Sequence, residues 1–185
     1  MVKLDGNTYE NFTLDIGTKT YTPTTTTTKI TEPIVISNEY TLLINNKIEL
    51  LDITNSGRLT INLDLNKENE KIINIVKANG IINSNIIEIK GDAKTNFHIF
   101  ECNNIINSGR IKINTTNKYI KLNDSLVNSG IININMEVTI EKPFYDLDIK
   151  SIDNGAGGNI ILGSKDNVGD EKTTYYKPKF NTKYL

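Results

Sequence analysis

The sequence is short of the residues that most often perform chemistry in proteins. It contains one cysteine, one histidine and no tryptophan. A single cysteine cannot form an intramolecular disulfide, and one cysteine with one histidine supplies too few ligands for a typical zinc site. The charges balance at 21 Lys+Arg against 22 Asp+Glu, for a formal net charge of −1. We therefore expect neither a disulfide scaffold nor a general nucleic-acid binder.

Strong helix formers and long apolar runs are scarce as well. Alanine occurs only three times, at Ala78, Ala93 and Ala156, whereas counting the sequence gives 30 Ile and 27 Asn. Because Ile and Asn are poor helix formers and Ile favours strands, a mainly helical fold is disfavoured. The longest apolar runs span only a few residues, so the sequence predicts neither a signal peptide after Met1 nor membrane insertion.

What is present is a repeat built around an Asn-Ser-Gly corner. It covers residues 53–61, 81–89, 105–113 and 126–134, with a degenerate fifth copy that starts at residue 152. The marker asparagines of the five copies are Asn55, Asn83, Asn107, Asn128 and Asn154. Their spacings are 28, 24, 21 and 26 residues. Internal repeats of this length are typical of solenoid architectures.

Apolar residues recur at fixed positions beside each marker. One column comprises Ile53, Ile81, Ile105, Leu126 and Ile152; two further columns comprise Leu59, Ile87, Ile111 and Ile132, and Ile61, Ile89, Ile113 and Ile134. The last two columns lie two residues apart, which is the alternation of a strand. Each unit must stack on its copies to bury this face. The sequence predicts an all-β, single-stranded parallel β-helix (β-solenoid) of about six coils with extended terminal arms.

The corner residues have a structural interpretation. Stacked asparagine side chains can hydrogen-bond from coil to coil as a ladder, and glycine accepts a positive φ at a tight turn. We therefore assign turn and ladder roles to the five marker asparagines and to Gly57, Gly109 and Gly130.

The two ends differ from the repeats. Residues 1–30 include an uninterrupted threonine run at 24–28, and the residues from 173 onward are basic and aromatic. We predict an N-terminal arm or capping segment at 1–30, the solenoid at 31–164, and a C-terminal cap or assembly tail at 165–185. Solenoids need such ends because their last coils expose apolar side chains and strand edges.

The candidates for chemistry are weak, and we predict no catalytic, cofactor or metal site. His98 and Cys102 stand alone, and the Gly155–Gly158 stretch lacks the Gly-Lys-Ser/Thr ending of a phosphate loop. An acidic cluster of suitable oxygen ligands leaves calcium as an open alternative; it consists of Asp166, Asn167, Asp170 and Glu171. Arg58 and Arg110 occupy the same repeat position and, with Lys112, form a candidate ligand face. Polysaccharide-active enzymes would add carboxylates such as Asp64 and Glu88.

The recurring Asn-Ser-Gly-x-Ile-x-Ile corner resembles those of β-solenoid adhesins, autotransporter passengers and viral tail-spike or fibre proteins, over residues 47–162. The resemblance implies a surface or virion location and self-association or carbohydrate partners. We expect a non-catalytic subunit that assembles with itself through its ends into an extracellular fibre, an appendage or a virion, with the cytoplasm left open. The alternatives are a carbohydrate- or receptor-binding module and, third, a polysaccharide-active enzyme.

Overall fold

The structure, a computed structural model, describes residues 1–63, 74–91, 98–115, 119–136 and 147–163. These residues form β-strands in two sheets, one of nine strands and one of eight, and contain no helix. The strands are β1 (Val2–Leu4), β2 (Phe12–Asp15), β3 (Thr20–Pro23), β4 (Lys29–Ile30), β5 (Ile34–Ile36), β6 (Thr41–Ile44), β7 (Ile48–Leu50), β8 (Ile53–Asn55), β9 (Arg58–Asn62), β10 (Asn74–Asn83), β11 (Ile86–Gly91), β12 (His98–Asn107), β13 (Arg110–Thr115), β14 (Tyr119–Asn128), β15 (Ile131–Met136), β16 (Leu147–Asn154) and β17 (Asn159–Gly163).

The two sheets are stacks of mostly parallel strands, and each turn of the solenoid contributes to both stacks. The first sheet follows the order β1-β5-β8-β10-β12-β14-β16, with β4 and β7 beside it, and the second follows β17-β15-β13-β11-β9-β6-β3-β2. Within the described strands, only β2 and β3 pair antiparallel. The predicted fold class is therefore confirmed: the chain is a parallel β-solenoid.

The number of turns is lower than predicted. The solenoid makes about four turns, whereas the repeat suggested about six coils. One turn separates each marker asparagine from the next, so five markers enclose four turns. The predicted number also included the strand layers at the two ends of the solenoid. At the N-terminal end, β5 pairs with β1 and β6 pairs with β3.

The core consists of the apolar columns that the sequence predicts. Ile81 pairs with Ile53 on one side and Ile105 on the other, and all three side chains are buried. Across the interior, Ile87 lies between Leu59 and Ile111 in the second sheet. Full burial of each such side chain stabilises the fold by about 1.5–3 kcal/mol. Stacking of identical columns, not local propensity, thus holds the coils together.

The segment upstream of the corner differs between the first turn and the later ones. The repeat predicts two short strands separated by a turn, and the first turn has them as β7 and β8, whereas β10, β12 and β14 are each single strands of ten residues. The register shifts between Cys102 and Asn104 and again between Leu122 and Ser125. Such irregularities bend a strand without ending it, so the later coils are each built from two strands.

Residues 1–30 pack over the first turn through β1 to β4. Tyr21 is fully buried at the centre of an aromatic group, with ring centroids 6.3 Å from Phe12 and 5.8 Å from Tyr40. The Tyr21 hydroxyl donates to the Asn7 carbonyl at 2.6 Å and accepts from the Gly6 N–H at 2.9 Å. Burial raises the pKa of this hydroxyl. The aromatic group closes the N-terminal end of the core.

Candidate functional site

The five marker asparagines form a hydrogen-bonded row through the interior. Each Nδ2 donates to the Oδ1 of the next marker, at 2.7 Å from Asn55, 2.6 Å from Asn83, 2.7 Å from Asn107 and 2.7 Å from Asn128. At the far end the Asn154 Nδ2 donates to the Gly158 carbonyl at 2.8 Å. We call this row the inner ladder.

The inner ladder ends on an unsatisfied group. The Oδ1 of Asn55 is buried and accepts no hydrogen bond within the described part of the chain. The residue in register with Asn55 on that side is Ile36, which has no donor to offer. A buried polar atom without a partner costs about 1–3 kcal/mol. Asn55 is therefore the first residue of the inner ladder, because the next residue in register is an isoleucine.

The corner glycines are needed for close packing and not for a positive φ. The sequence predicts positive φ at Gly57, Gly109 and Gly130, and this expectation is wrong: the described glycines with positive φ are Gly6 and Gly157. A Cβ on Gly109 would lie 2.2 Å from the Asn85 carbonyl oxygen, and one on Gly130 would lie 2.0 Å from that of Gly109. The coils approach so closely at the corner that only a hydrogen fits.

A row of alternating charges runs along the outer face of the first sheet. Lys29, Glu49, Lys77, Glu101 and Lys121 occupy successive register positions. The N···O distances are 3.7 Å for Lys29–Glu49, 3.6 Å for Lys77–Glu101 and 3.8 Å for Lys121–Glu101. We call this row the charge ladder. Opposite charges at facing positions of neighbouring strands stabilise this pairing.

Beside the charge ladder lies a second row of amides, here on the outside. Asn79 Nδ2 donates to Asp52 Oδ1 at 2.8 Å, Asn103 Nδ2 to Asn79 Oδ1 at 2.9 Å, and Asn123 Nδ2 to Asn103 Oδ1 at 3.2 Å. The three asparagines line a surface groove of about 350 Å³ together with Leu51 and four members of the charge ladder, Lys29, Glu49, Lys77 and Glu101. The groove follows the solenoid axis at the bend of the long strands.

Glu101 is the centre of this polar region. Its Oε1 accepts a hydrogen bond from Asn123 Nδ2 at 2.8 Å. That hydrogen bond, with smaller contributions from the neighbouring Lys77 and Lys121, holds the pKa of the Glu101 carboxyl below its usual value against the opposing effect of burial. The lowered pKa favours the carboxylate form. It is suited to binding cations or hydroxyl groups, not to general acid catalysis.

Cys102 is a core residue. It is fully buried, and its Sγ lies 3.2 Å from the Asn104 carbonyl oxygen. Desolvation by burial raises the pKa of the thiol to about 12. Because the thiolate is the reactive form, this cysteine is unsuited to nucleophilic chemistry.

The predicted ligand face lies on the second sheet, away from the groove. Arg58 and Arg110 flank Ile86 in register, and Lys112 pairs in register with Glu88. Arg58 Nη1 lies 3.4 Å from Glu88 Oε2. The structure therefore places Arg58, Arg110 and Lys112 on one outer face but interrupts the arginine column with an isoleucine.

An exposed apolar row marks the outer face of the first sheet near the corners. Ile82, Ile106 and Val127 occupy successive register positions in β10, β12 and β14, and they are 53%, 47% and 37% exposed. Exposed serines follow at the corner, at Ser84 and Ser108. We call Ile82, Ile106 and Val127 the apolar strip. Grouped exposed apolar side chains are a common mark of interaction surfaces.

Several predicted features lie outside the described residues. These are Asp64, the candidate calcium cluster of Asp166, Asn167, Asp170 and Glu171, and the C-terminal segment 165–185. Within the described ranges, no three His, Cys, Asp or Glu side chains come together in a way that could hold a metal ion. No helix in the described part of the chain is long and apolar enough to cross a membrane.

The charge ladder and the outer amide row were missed in the sequence, although both leave a signal there. Glu49, Lys77 and Glu101 each stand six residues before a marker asparagine, and Asn79 and Asn103 stand four before one. An alignment extended upstream of the markers would have shown both rows.

Comparisons with known proteins identify no relative. No protein-family model matches the chain, and neither a curated protein nor a solved structure shows significant similarity to it. Functional inference therefore depends on the geometry of this molecule.

Proposed function

We propose that the protein is a non-catalytic structural subunit that assembles with itself, end to end, into an extracellular fibre, an appendage or a virion. The observation that carries this proposal is that strands at both ends of the solenoid have a free edge. At the N-terminal end the Tyr21 aromatic group covers the core, and β1 and β2 each pair with one neighbour within the described residues. At the other end, β16 and β17 each pair with one neighbour within the described residues.

An unpaired strand edge is a template for another strand. It offers a row of backbone N–H and C=O groups, and natural proteins normally block such edges. Each layer of this solenoid repeats the one before it. The free edge of the last layer therefore resembles the strand edges that pair with each other inside the chain. A second copy docking there would continue the same hydrogen-bond pattern.

Electron microscopy and light scattering of the purified full-length protein test the proposal. We expect the particle length to increase with protein concentration, in increments equal to the length of one molecule. A strictly monomeric protein at high concentration would contradict it.

A pair of variants at Ile160 tests the edge itself. The Asn159 N–H donates to the Gly130 carbonyl at 2.9 Å, and neighbouring residues of a strand alternate in direction, so the Ile160 N–H is directed to the open side. Ile160→Pro removes that donor, a position where proline is tolerated in edge strands. We expect Ile160→Pro to abolish elongation, whereas Ile160→Ala, which shortens the side chain but keeps the N–H, elongates normally. Equal elongation by the two variants would disprove a role for this edge.

The groove favours a second candidate function, a carbohydrate- or receptor-binding module. Asn79, Asn103 and Asn123 present amides at one-coil intervals beside the ionised Glu101. Rows of amides and carboxylates hydrogen-bond to hydroxyl groups, and a volume of about 350 Å³ lies at the lower end of the range for small-ligand sites.

A glycan screen distinguishes this candidate from the first. Binding that is lost in Asn103→Ala but kept in Arg110→Ala would assign it to the groove. Binding lost only in Arg110→Ala would assign it to the second sheet, and no binding by the wild-type protein would remove the candidate.

A further inference from the structure

We propose that two copies of this chain associate side by side and antiparallel through the outer face of the first sheet, with the apolar strip and the charge ladder at the contact. This lateral contact does not depend on the end-to-end assembly proposed above, because it uses the side of the solenoid and not its edges. The partner is a second copy of the same face, related by a twofold axis that runs along the strands between β10 and β12.

The apolar strip is the first observation. Most outer columns of this solenoid carry charges, as in the charge ladder and at Arg58, Glu88 and Lys112. The strip, by contrast, has Ile82, Ile106 and Val127 at its centre. It is bordered along the strands by uncharged residues, among them Ser84, Asn104, Ser108, Ser125 and Ser129, and Asp153 follows Val127 in register. The three apolar side chains form an exposed patch of the kind that marks interaction surfaces.

The charge ladder selects the partner and its orientation. The order of charges is Lys29, Glu49, Lys77, Glu101, Lys121. In an antiparallel copy rotated about an axis between β10 and β12, Lys77 therefore lies opposite Glu101 of the second copy, and Glu49 lies opposite Lys121.

The same rotation matches the apolar strip with itself. Ile82 of one copy faces Ile106 of the other, because these residues lie one layer apart on either side of the axis. Val127 then faces the layer of Thr54. A twofold axis placed on the Glu101 layer instead would oppose Lys77 to Lys121. One register thus satisfies both rows, which is the self-complementarity of a twofold interface.

The contact is small. A face five strand layers long and six residues wide covers about 24 by 20 Å, or roughly 480 Å² per copy. The two copies together bury roughly 960 Å², the size of a weak, reversible interface.

Sedimentation equilibrium over a wide concentration range tests the proposal, carried out on full-length Ile160→Pro so that end-to-end growth does not contribute. We expect a monomer–dimer equilibrium. Ile106→Lys should raise the dissociation constant at least tenfold, whereas Ile161→Lys, at a 55% exposed isoleucine on the second sheet, should leave it unchanged. Circular dichroism establishes that each variant is folded.

A charge exchange tests the register. Glu101→Lys should weaken dimerisation, and the double variant Lys77→Glu, Glu101→Lys should restore it, because the opposed charges are exchanged together. Three results would each overturn the proposal: a monomer at every concentration, an Ile106→Lys variant that dimerises like its parent, and a double variant that dimerises no better than Glu101→Lys. Loss of filaments with retention of this dimer would separate it from the end-to-end proposal.

Discussion

Individual buried polar residues in this protein are stabilised by hydrogen bonds to the equivalent residues of neighbouring coils. An asparagine side chain in an apolar core is normally unfavourable because its amide leaves water. In the inner ladder the donor of each amide is satisfied by the acceptor of the next. The asparagines of the inner ladder can therefore be buried together. The free-energy cost of substituting one of them depends on its position in the ladder.

Substitution at the middle of the inner ladder should be more harmful than substitution at its end. Asn107→Ala removes the hydrogen bonds to both Asn83 and Asn128 and leaves a cavity, so we expect a loss of about 2–3 kcal/mol in the free energy of unfolding. Asn154→Ala, at the exposed end, should lose about 1 kcal/mol. Urea unfolding measures both, and equal losses would show that the amides do not act as a row.

The buried thiol predicts an alkaline dependence of stability. The pKa of Cys102 is raised from 9.0 to about 12 in the folded protein, so the unfolded chain releases the proton first and stability falls as pH rises through this window. We expect the wild-type protein to lose about 2 kcal/mol more than Cys102→Ala between pH 8 and about 10.5. Unfolding curves of both proteins across this range provide the measurement. Parallel pH profiles would contradict the assignment.

At the scale of strands and corners, the distance between coils limits which residues are allowed. Gly109→Ala would bring a Cβ to 2.2 Å from the Asn85 carbonyl oxygen and 2.6 Å from the Asn85 nitrogen. Because both atoms belong to the backbone, the corner must open, and we expect a loss of at least about 2 kcal/mol. Gly155→Ala is the matched control, since its Cβ would come no closer than 3.9 Å. Thermal unfolding distinguishes the two variants, which should differ by several degrees.

The geometry of the strands and corners also explains how much of the fold could be predicted from the sequence. The column of Ile53, Ile81 and Ile105 could be predicted because an insertion between these buried residues and the corner would move their side chains out of the core. The outer amide row was harder, since the register shift near Asn123 changes its distance from the marker by one residue. The role of the corner glycines could not be predicted, because the approach of Gly130 to Gly109 is a distance between coils and not a local property.

The whole molecule behaves as a one-dimensional stack, in which each coil contacts only its neighbours. Amides in β12 and β13 have a paired strand on both sides, whereas β16 and β17 have one neighbour each within the described residues. We expect hydrogen exchange in dilute solution to be slowest in β12 and β13 and fastest in β17. Raising the concentration should slow exchange in β16 and β17 under the end-to-end proposal. Uniform exchange rates along the stack would contradict this picture.

The residue-by-residue match between neighbouring coils has an evolutionary consequence. Asn83 and Asn107 occupy equivalent positions, and the chain between them is one complete turn of 24 residues. A tandem duplication of residues 84–107 would place the buried side chains of the described strands back in their own columns and would lengthen the molecule by about 4.8 Å. Unequal recombination within a gene of this kind can therefore change the length of the protein in whole coils while leaving its cross-section and both ends unaltered.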